Sequence, residues 1–286
     1  MRLHVLHRTT FVYDGHARDS FNEVRLRPFD DSVQSCRQFA LRLEPGSLLR
    51  EFVDFHGNTV HYFDIAASHA QLTVEAESEV ETVADVDRPA VPIVSLAQAA
   101  QSPEREMQAE FYSDSFYVRL DGEFRREAEA ALNGTESDTW STVCRLGRHV
   151  RRTFAYRPNL TEVSTLATDA LNLRAGVCQD FAHVLLGLCR ISGIPTRYVS
   201  GYFLNRSRRP GEIEASHAWV EAFLPGFGWA PYDPTHDRPA DERYVKVAVG
   251  RDYADVGPVC GTYRGSPTRE LRVEVFVRET PALAVR

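Results

Sequence analysis

The sequence lacks several features that would assign it to a class of protein at once. It has no run of about 18 apolar residues, so no membrane span is expected. The net charge of −7 gives no electrostatic support to a general role in binding nucleic acid. The N-terminal sequence MRLHVLHRTT lacks the apolar core of a signal peptide. We therefore expect neither nucleic acid nor a membrane as a partner.

Cysteine and lysine are also scarce. The five cysteines are odd in number and form no C-x-x-C motif, which argues against a disulfide framework or a zinc ribbon. This pattern favours a reducing, cytoplasmic location. Lys246 is the single lysine, and arginine supplies the remaining positive charge. Crosslinking of the chain to itself through lysine is therefore disfavoured.

The remaining composition is that of a folded globular protein. Of 286 residues, 43% are hydrophobic and 26% are charged, and this length predicts two domains or one large domain. Up to about residue 83, apolar and polar residues alternate in several short runs. The alternation is clearest over 72–82, where one side is apolar and the other is rich in glutamate. We therefore predict an antiparallel β domain of sandwich type at the N-terminus.

A helical region follows. Residues 85–102 contain two prolines and little periodicity, which predicts a linker. Three helices are predicted next: one from Ser102, one over 121–132, and one from the candidate N-cap Asp138. A short helix over 165–171 leads into the most apolar part of the chain.

Residues 173–193, LRAGVCQDFAHVLLGLCRISG, form the central stretch of the sequence. A helix that is apolar nearly all round is buried, and Gly193 and Pro195 end this one. Cys178 would then lie in its first turn. The unpaired N–H groups and the dipole of a helix N-terminus favour a thiolate there, and a thiolate is a ready nucleophile.

After Pro195 the period changes to two, which predicts antiparallel strands. One strand over 216–224 begins near His217, and a turn at Pro225-Gly226 returns the chain to Asp233. Adjacent strands can bring this aspartate beside the histidine. A cysteine nucleophile needs a base, and the base needs an orienting group. The order of strands, helices, a buried helix and further strands predicts an α+β protein.

Each of these residues also has a structural interpretation. Cys178 could be a core cysteine, His217 a hydrogen-bonded core histidine, and Asp233 the first residue of a turn. Together with His183 and His236, they could also be metal ligands, but their spacing matches no zinc motif. Spacing by itself leaves these alternatives open. We expect no metal and no cofactor.

Several segments resemble the transglutaminase-like superfamily. GVCQDFAH, GIPTRYVSGY, SHAWVEAFLPGFGWAPYDPT and GRDYADV are similar to its core. HRTTFVY, NEVRLRP and FHGNTVHYF are similar to the N-terminal domain of its bacterial branch, often described as predicted cysteine proteases. The resemblance covers most of the chain and is strongest over 156–263.

This resemblance implies a fold and a reaction. The fold is a papain-like, transglutaminase core, in which a central helix packs on an antiparallel sheet, preceded by the β-sandwich-type domain. Cys178 is the implied nucleophile, His217 the base and then the acid, and Asp233 the orienting carboxylate. The implied reaction is acyl transfer at an amide bond of a protein or peptide through a thioester. Hydrolysis is the first choice, amine transfer to protein glutamine the second, and a non-catalytic binding scaffold the third.

Three segments are predicted. They are an N-terminal β domain over 1–88, a linker with helices over 89–137, and the catalytic core over 138–286. The backbone N–H of Cys178 is the expected first donor to the oxyanion, and a second donor is expected near Tyr156. His236 follows DPT where the superfamily more often has asparagine, which removes no member of the triad.

Overall fold

The computed structural model describes residues 1–134, 138–207 and 216–280. A seven-stranded antiparallel sheet contains the N-terminal strands and the last two strands of the chain. Its strands are β1 (Arg2–Val24), β2 (Gln34–Glu44), β3 (Arg50–Val53), β4 (Thr59–Ile65), β5 (His69–Thr82), β13 (Val259–Gly265) and β14 (Thr268–Glu279).

The long strand β1 belongs to two halves of this sheet. Its first half pairs with β5 and β14, and its second half pairs with β4 and β13. Apolar residues of both halves pack in one core, among them Tyr13, Phe63 and Leu72. The predicted antiparallel β region at the N-terminus is confirmed, and its strands belong to one sheet. The alternation over 72–82 is also confirmed, because every second residue of β5 from Leu72 onward is buried.

Between the sheet and the core lies a helical segment. It contains a 3₁₀ helix at Asp85–Asp87, α1 (Leu96–Gln101), a 3₁₀ helix at Pro103–Tyr112, α2 (Gly122–Leu132), α3 (Thr139–Thr153) and α4 (Ala167–Leu173). The side chains of Asp121 and Asp138 cap α2 and α3, and the cap at Asp138 is the one that the sequence predicts. The linker predicted over 85–102 is wrong at α1, where Ser95 and Gln98 form a capping box at the start of a six-residue helix. A helix of this length has too few turns to show a period.

A second sheet holds the remaining strands. They are β8 (Thr196–Phe203), β9 (His217–Leu224), β10 (Gly228–Asp233), β11 (Arg238–Pro239) and β12 (Tyr244–Gly250), in the order β11-β10-β9-β8-β12. A short parallel ladder joins β6 (Ala155–Tyr156) to β7 (Ala175–Gly176). Two further helices complete the core, α5 (Cys178–Ile191) and α6 (Tyr253–Val256).

The helix α5 lies at the centre of the core, between the other helices and the second sheet. Its Leu185, Leu186 and Leu188 are fully buried, and burial of each leucine stabilises the fold by about 1.5–3 kcal/mol. The face of β9 turned toward this helix carries small residues such as Ala218 and Ala222, which allow a close approach. A Cβ at Gly187 would clash with Phe124 of α2, so glycine is required at that contact. The predicted α+β core, with a central helix packed on an antiparallel sheet, is confirmed.

The last two strands return to the N-terminal sheet rather than to the second sheet. β14 pairs with the first half of β1, from Leu3↔Glu279 to Tyr13↔Thr268. The alternation of apolar and charged residues over 271–277 predicts this strand but does not reveal its partner, because pairing between distant segments has no local signature. The boundaries of the three predicted segments stay predictions. Within the described residues, no helix is long and apolar enough to cross a membrane.

Candidate active site

Cys178 is the first residue of α5, as the sequence predicts. The preceding residue, Val177, is the extended N-cap, and β7 leads directly into it. The side chain of Asp180 closes this turn, because its Oδ2 accepts hydrogen bonds from the Val177 N–H (2.7 Å) and the Thr161 hydroxyl (2.7 Å). A Cβ at Gly176 would clash with the same carboxylate, so glycine is required there. The turn therefore holds the half-buried thiol at the helix N-terminus.

Asp180 is a buried carboxylate two residues after Cys178, in the same first turn of the helix. Burial raises its pKa, while the hydrogen bonds from Thr161 and Val177 oppose that change. A negative charge here would disfavour a thiolate at Cys178 unless other groups stabilise it. The Thr161 hydroxyl and the Val177 N–H donate to this carboxylate, and through the second bond Asp180 caps the helix.

His217 and Asp233 lie on the adjacent strands β9 and β10. The Nε2 of His217 donates to Oδ2 of Asp233 over 2.7 Å. The other side of the imidazole faces Cys178, whose thiol is hydrogen-bonded to the ring. The sulfur also lies 4.0 Å from the carbonyl oxygen of Ser216. The structure thus brings together the three residues that the sequence singled out, in the order thiol, imidazole, carboxylate.

Asp233 is fully buried and accepts five hydrogen bonds. Its Oδ2 accepts from His217, from His236 Nδ1 (2.7 Å) and from the Tyr244 hydroxyl (2.8 Å). Its Oδ1 accepts from the backbone N–H groups of Thr235 (2.7 Å) and His236 (3.3 Å). Burial by itself would raise the pKa of Asp233, but the charge of His217 and these hydrogen bonds hold it well below its usual range.

The environment of His217 stabilises its protonated form. Burial lowers its pKa, but the Asp233 carboxylate and the Cys178 sulfur outweigh burial and raise the pKa to about 10. An imidazolium between a carboxylate and a sulfur is the arrangement of a thiolate–imidazolium pair. The site can therefore present a nucleophile with a proton donor beside it.

Other candidate residues are explained by packing. His183 is fully buried between Tyr117 and Tyr198, with ring centroids 5.1 Å from each, and its Nε2 accepts from the Tyr253 N–H (3.2 Å). Burial lowers the pKa of His183 to about 3. Cys189 is fully buried, and burial raises its pKa to about 12, so its thiol is unreactive. Both are therefore core residues.

Two contacts of the site were not predicted from the sequence. Tyr244 reaches Asp233 because β12 pairs with β8 at Tyr244↔Phe203, and Thr161 reaches Asp180 from the loop before α4. Neither residue belongs to a motif with regular spacing. Of the five possible metal ligands, only His217, Asp233 and His236 offer ligand atoms within 4.8 Å of one another among the described residues.

Helix, sheet and site together define a papain-like protein with a Cys-His-Asp arrangement. Residues 126–234 match the transglutaminase-like superfamily, and residues 3–81 match the bacterial transglutaminase-like N-terminal region. An uncharacterized protein of Mycobacterium leprae is 35% identical over 279 residues, which cover 96% of this chain and 98% of that protein. The chain therefore belongs to the transglutaminase-like superfamily, in its branch with the bacterial N-terminal region.

Two further proteins bear on the family. A protein-glutamine gamma-glutamyltransferase of Pseudomonas aeruginosa is 32% identical over 135 residues, which cover 43% of this chain and 20% of that protein. The crystal structure of a "putative cysteine protease" from Cytophaga hutchinsonii superposes with a TM-score of 0.76 and 22% identity, covering 99% of this chain and 92% of that one. At this identity, the superposition shows a shared fold.

Proposed function

We propose that this protein is a cysteine-dependent enzyme that transfers acyl groups from amide bonds, with hydrolysis of a peptide, isopeptide or amide as its main reaction. The observation that carries the proposal is the hydrogen-bonded series Cys178, His217 and Asp233 at the N-terminus of a buried helix. A core cysteine would need neither a paired histidine nor a carboxylate that fixes that histidine.

The first half of the reaction forms a thioester. The Cys178 sulfur attacks the amide carbonyl carbon, and the carbonyl oxygen becomes an oxyanion. The Cys178 N–H belongs to the first helical turn, whose N–H groups lack intrahelical partners, and it is suited to donate to that oxyanion. His217 then gives its proton to the departing amine, and the carbon–nitrogen bond breaks.

The second oxyanion donor is proposed to come from the region of Tyr156. This residue pairs with Gly176, two positions before the nucleophile, and is 49% exposed.

In the second half of the reaction, water attacks the thioester and His217 accepts a proton from that water. The carboxylic acid then leaves, and the thiol of Cys178 is restored.

Amine transfer is the second candidate, and one comparison supports it: the similarity to a protein-glutamine gamma-glutamyltransferase over 135 residues. In that reaction a primary amine replaces water. The single lysine of this chain is a poor acceptor, because Lys246 is buried and its ammonium pairs with Glu221 and Asp31, each at 2.8 Å. An amine acceptor would therefore come from another molecule.

One experiment separates these reactions. The protein is incubated with a mixture of proteins and peptides and an excess of labelled primary amine, beside the Cys178→Ala variant. Mass spectrometry then reads new chain termini, deamidation and labelled glutamine. Termini or deamidation without label, absent in the variant, would establish a hydrolase, and label on glutamine would establish a transglutaminase. Products formed equally by the variant would refute a role for Cys178.

The third interpretation, a binding scaffold, predicts that the thiol is ordinary. The hydrogen-bonded arrangement around His217 argues against it. We also propose that the protein acts in the cytoplasm on a protein or peptide substrate. The five free cysteines are compatible with that location.

A further inference from the structure

Two histidines share the carboxylate of Asp233. His236 Nδ1 and His217 Nε2 each lie 2.7 Å from its Oδ2, and the three ligand atoms lie within 4.8 Å of one another. The Asp233 side chain is fully buried, whereas the His236 side chain is 38% exposed. The cluster is therefore open to solvent on the side of His236.

The backbone holds this cluster in place. The N–H groups of Thr235 and His236 both donate to Oδ1 of Asp233, which fixes the turn after β10. The Phe203 ring packs on the imidazole of His236 with centroids 4.7 Å apart. Three possible metal ligands thus lie close together at a hydrogen-bonded turn beside the Phe203 ring. This arrangement in advance lowers the free-energy cost of binding an ion there.

The donor set suits one class of ion. Two imidazole nitrogens and one carboxylate oxygen are the protein ligands of many zinc sites that leave one position open, whereas calcium and magnesium prefer oxygen ligands. Zinc bonds of about 2.0–2.2 Å in tetrahedral geometry need donor atoms somewhat farther apart than a hydrogen bond allows. The hydrogen bonds to Oδ1 fix only the backbone of the turn, so the exposed side chain of His236 can rotate outward to provide that spacing.

We propose that His217, Asp233 and His236 form an inhibitory Zn²⁺ site. Zinc replaces the protons on Nε2 of His217 and Nδ1 of His236, which pass to solvent, and the remaining ring proton of His217 stays on Nδ1, which faces Cys178. His217 then has no free lone pair with which to accept a proton from the thiol or from water. Reversible binding of zinc would therefore stop the reaction. The inhibitory role rests on the proposed function, whereas the binding site does not.

Calorimetric titration with zinc chloride tests the site without reference to activity. The full-length Cys178→Ala variant retains all three ligands and is expected to bind one Zn²⁺. Adding His236→Asn to that variant should weaken binding at least about tenfold, because one of three ligands is lost. Adding His16→Asn, at an exposed histidine outside the cluster, should leave the affinity unchanged.

Two results would overturn the site. Zinc binding by the wild-type protein but not by Cys178→Ala would make the thiol a required ligand, and equal affinity with and without His236 would exclude that histidine. The thermal unfolding midpoints of the variants, measured without zinc, show whether each one folds. A double variant that does not fold is replaced by one carrying His236→Gln.

Inhibition is measured on the wild-type protein with the cysteine-dependent products defined above. Zinc at ten times its dissociation constant should lower product formation about tenfold, and a chelator should restore it. Full activity with the site occupied would overturn the inhibitory role. If no cysteine-dependent product forms under any condition, the proposed function fails. The calorimetric titration still shows whether zinc binds to the three ligands.

Discussion

Replacement of Asp233 by asparagine should disable the site while leaving the thiol in place. The carboxylate is the main group that raises the pKa of His217, from 6.5 to about 10, against the effect of burial. An amide carries no charge, so the pKa of His217 should return to 6.5 or below. At pH 7 the protonated fraction of His217 would then fall from nearly complete to about a quarter or less.

The consequence is measured by alkylation of Cys178. In the wild-type protein, iodoacetamide should modify Cys178 well below the pH of about 8.5 that an ordinary thiol requires. In Asp233→Asn, the rate near neutral pH should fall about tenfold, and turnover of any amide substrate should fall roughly 10²–10⁴-fold, because the asparagine no longer stabilises the imidazolium. Peptide mass mapping assigns the modification to Cys178.

Asp241→Asn is the matched control. Asp241 is also a buried carboxylate. Burial by itself would raise its pKa, but hydrogen bonds from Arg243 and the charges of Arg238 and Arg243 lower it. Its side chain pairs with these two arginines rather than with Cys178 or His217. An equal loss of Cys178 alkylation in both variants would show that removal of a buried carboxylate disturbs the fold in general. If alkylation of Cys178 in the wild-type protein becomes fast only above about pH 8.5, the proposed ion pair of Cys178 and His217 is refuted.

Three further predictions concern stability and selectivity. Leu186→Ala should destabilise the fold by about 2–5 kcal/mol in urea unfolding, whereas Leu48→Ala, at a leucine that is 76% exposed, should change it by less than about 0.5 kcal/mol. Because the folded state raises the pKa of His217, its contribution to stability is complete below pH 6.5 and is lost as pH rises toward about 10. The fall in unfolding free energy over that range should be smaller in His217→Gln, and an equal fall would contradict the assignment. Cys189 should resist alkylation in the folded protein and react only on unfolding, since its side chain is fully buried.

Much of the core could be predicted because its signals are local. The apolar run after Cys178 predicts a buried helix, and period-two alternation with a Pro225-Gly226 turn predicts the hairpin that joins His217 to Asp233. The observed α5, β9 and β10 agree with those predictions. Spacing alone still left core and metal interpretations open, and the resemblance to a family was needed to favour a triad.

The features that were missed depend on distant segments. Tyr244 contacts Asp233 through the pairing of β12 with β8, and β14 joins β1 across nearly the whole chain. Strand partners of this kind depend on tertiary packing, which the local alternation of residues does not encode. The hydrogen bond from Thr161 to Asp180 likewise connects a loop to a helix without any motif.

Capture of the thioester tests the central claim most directly. The wild-type protein is mixed with the protein and peptide substrates, quenched in acid within seconds, digested and examined by mass spectrometry. We predict an acyl adduct on the Cys178 peptide that hydroxylamine removes and that Cys178→Ala lacks. Products that accumulate without such an adduct, or that form equally in Cys178→Ala, would contradict acyl transfer through Cys178.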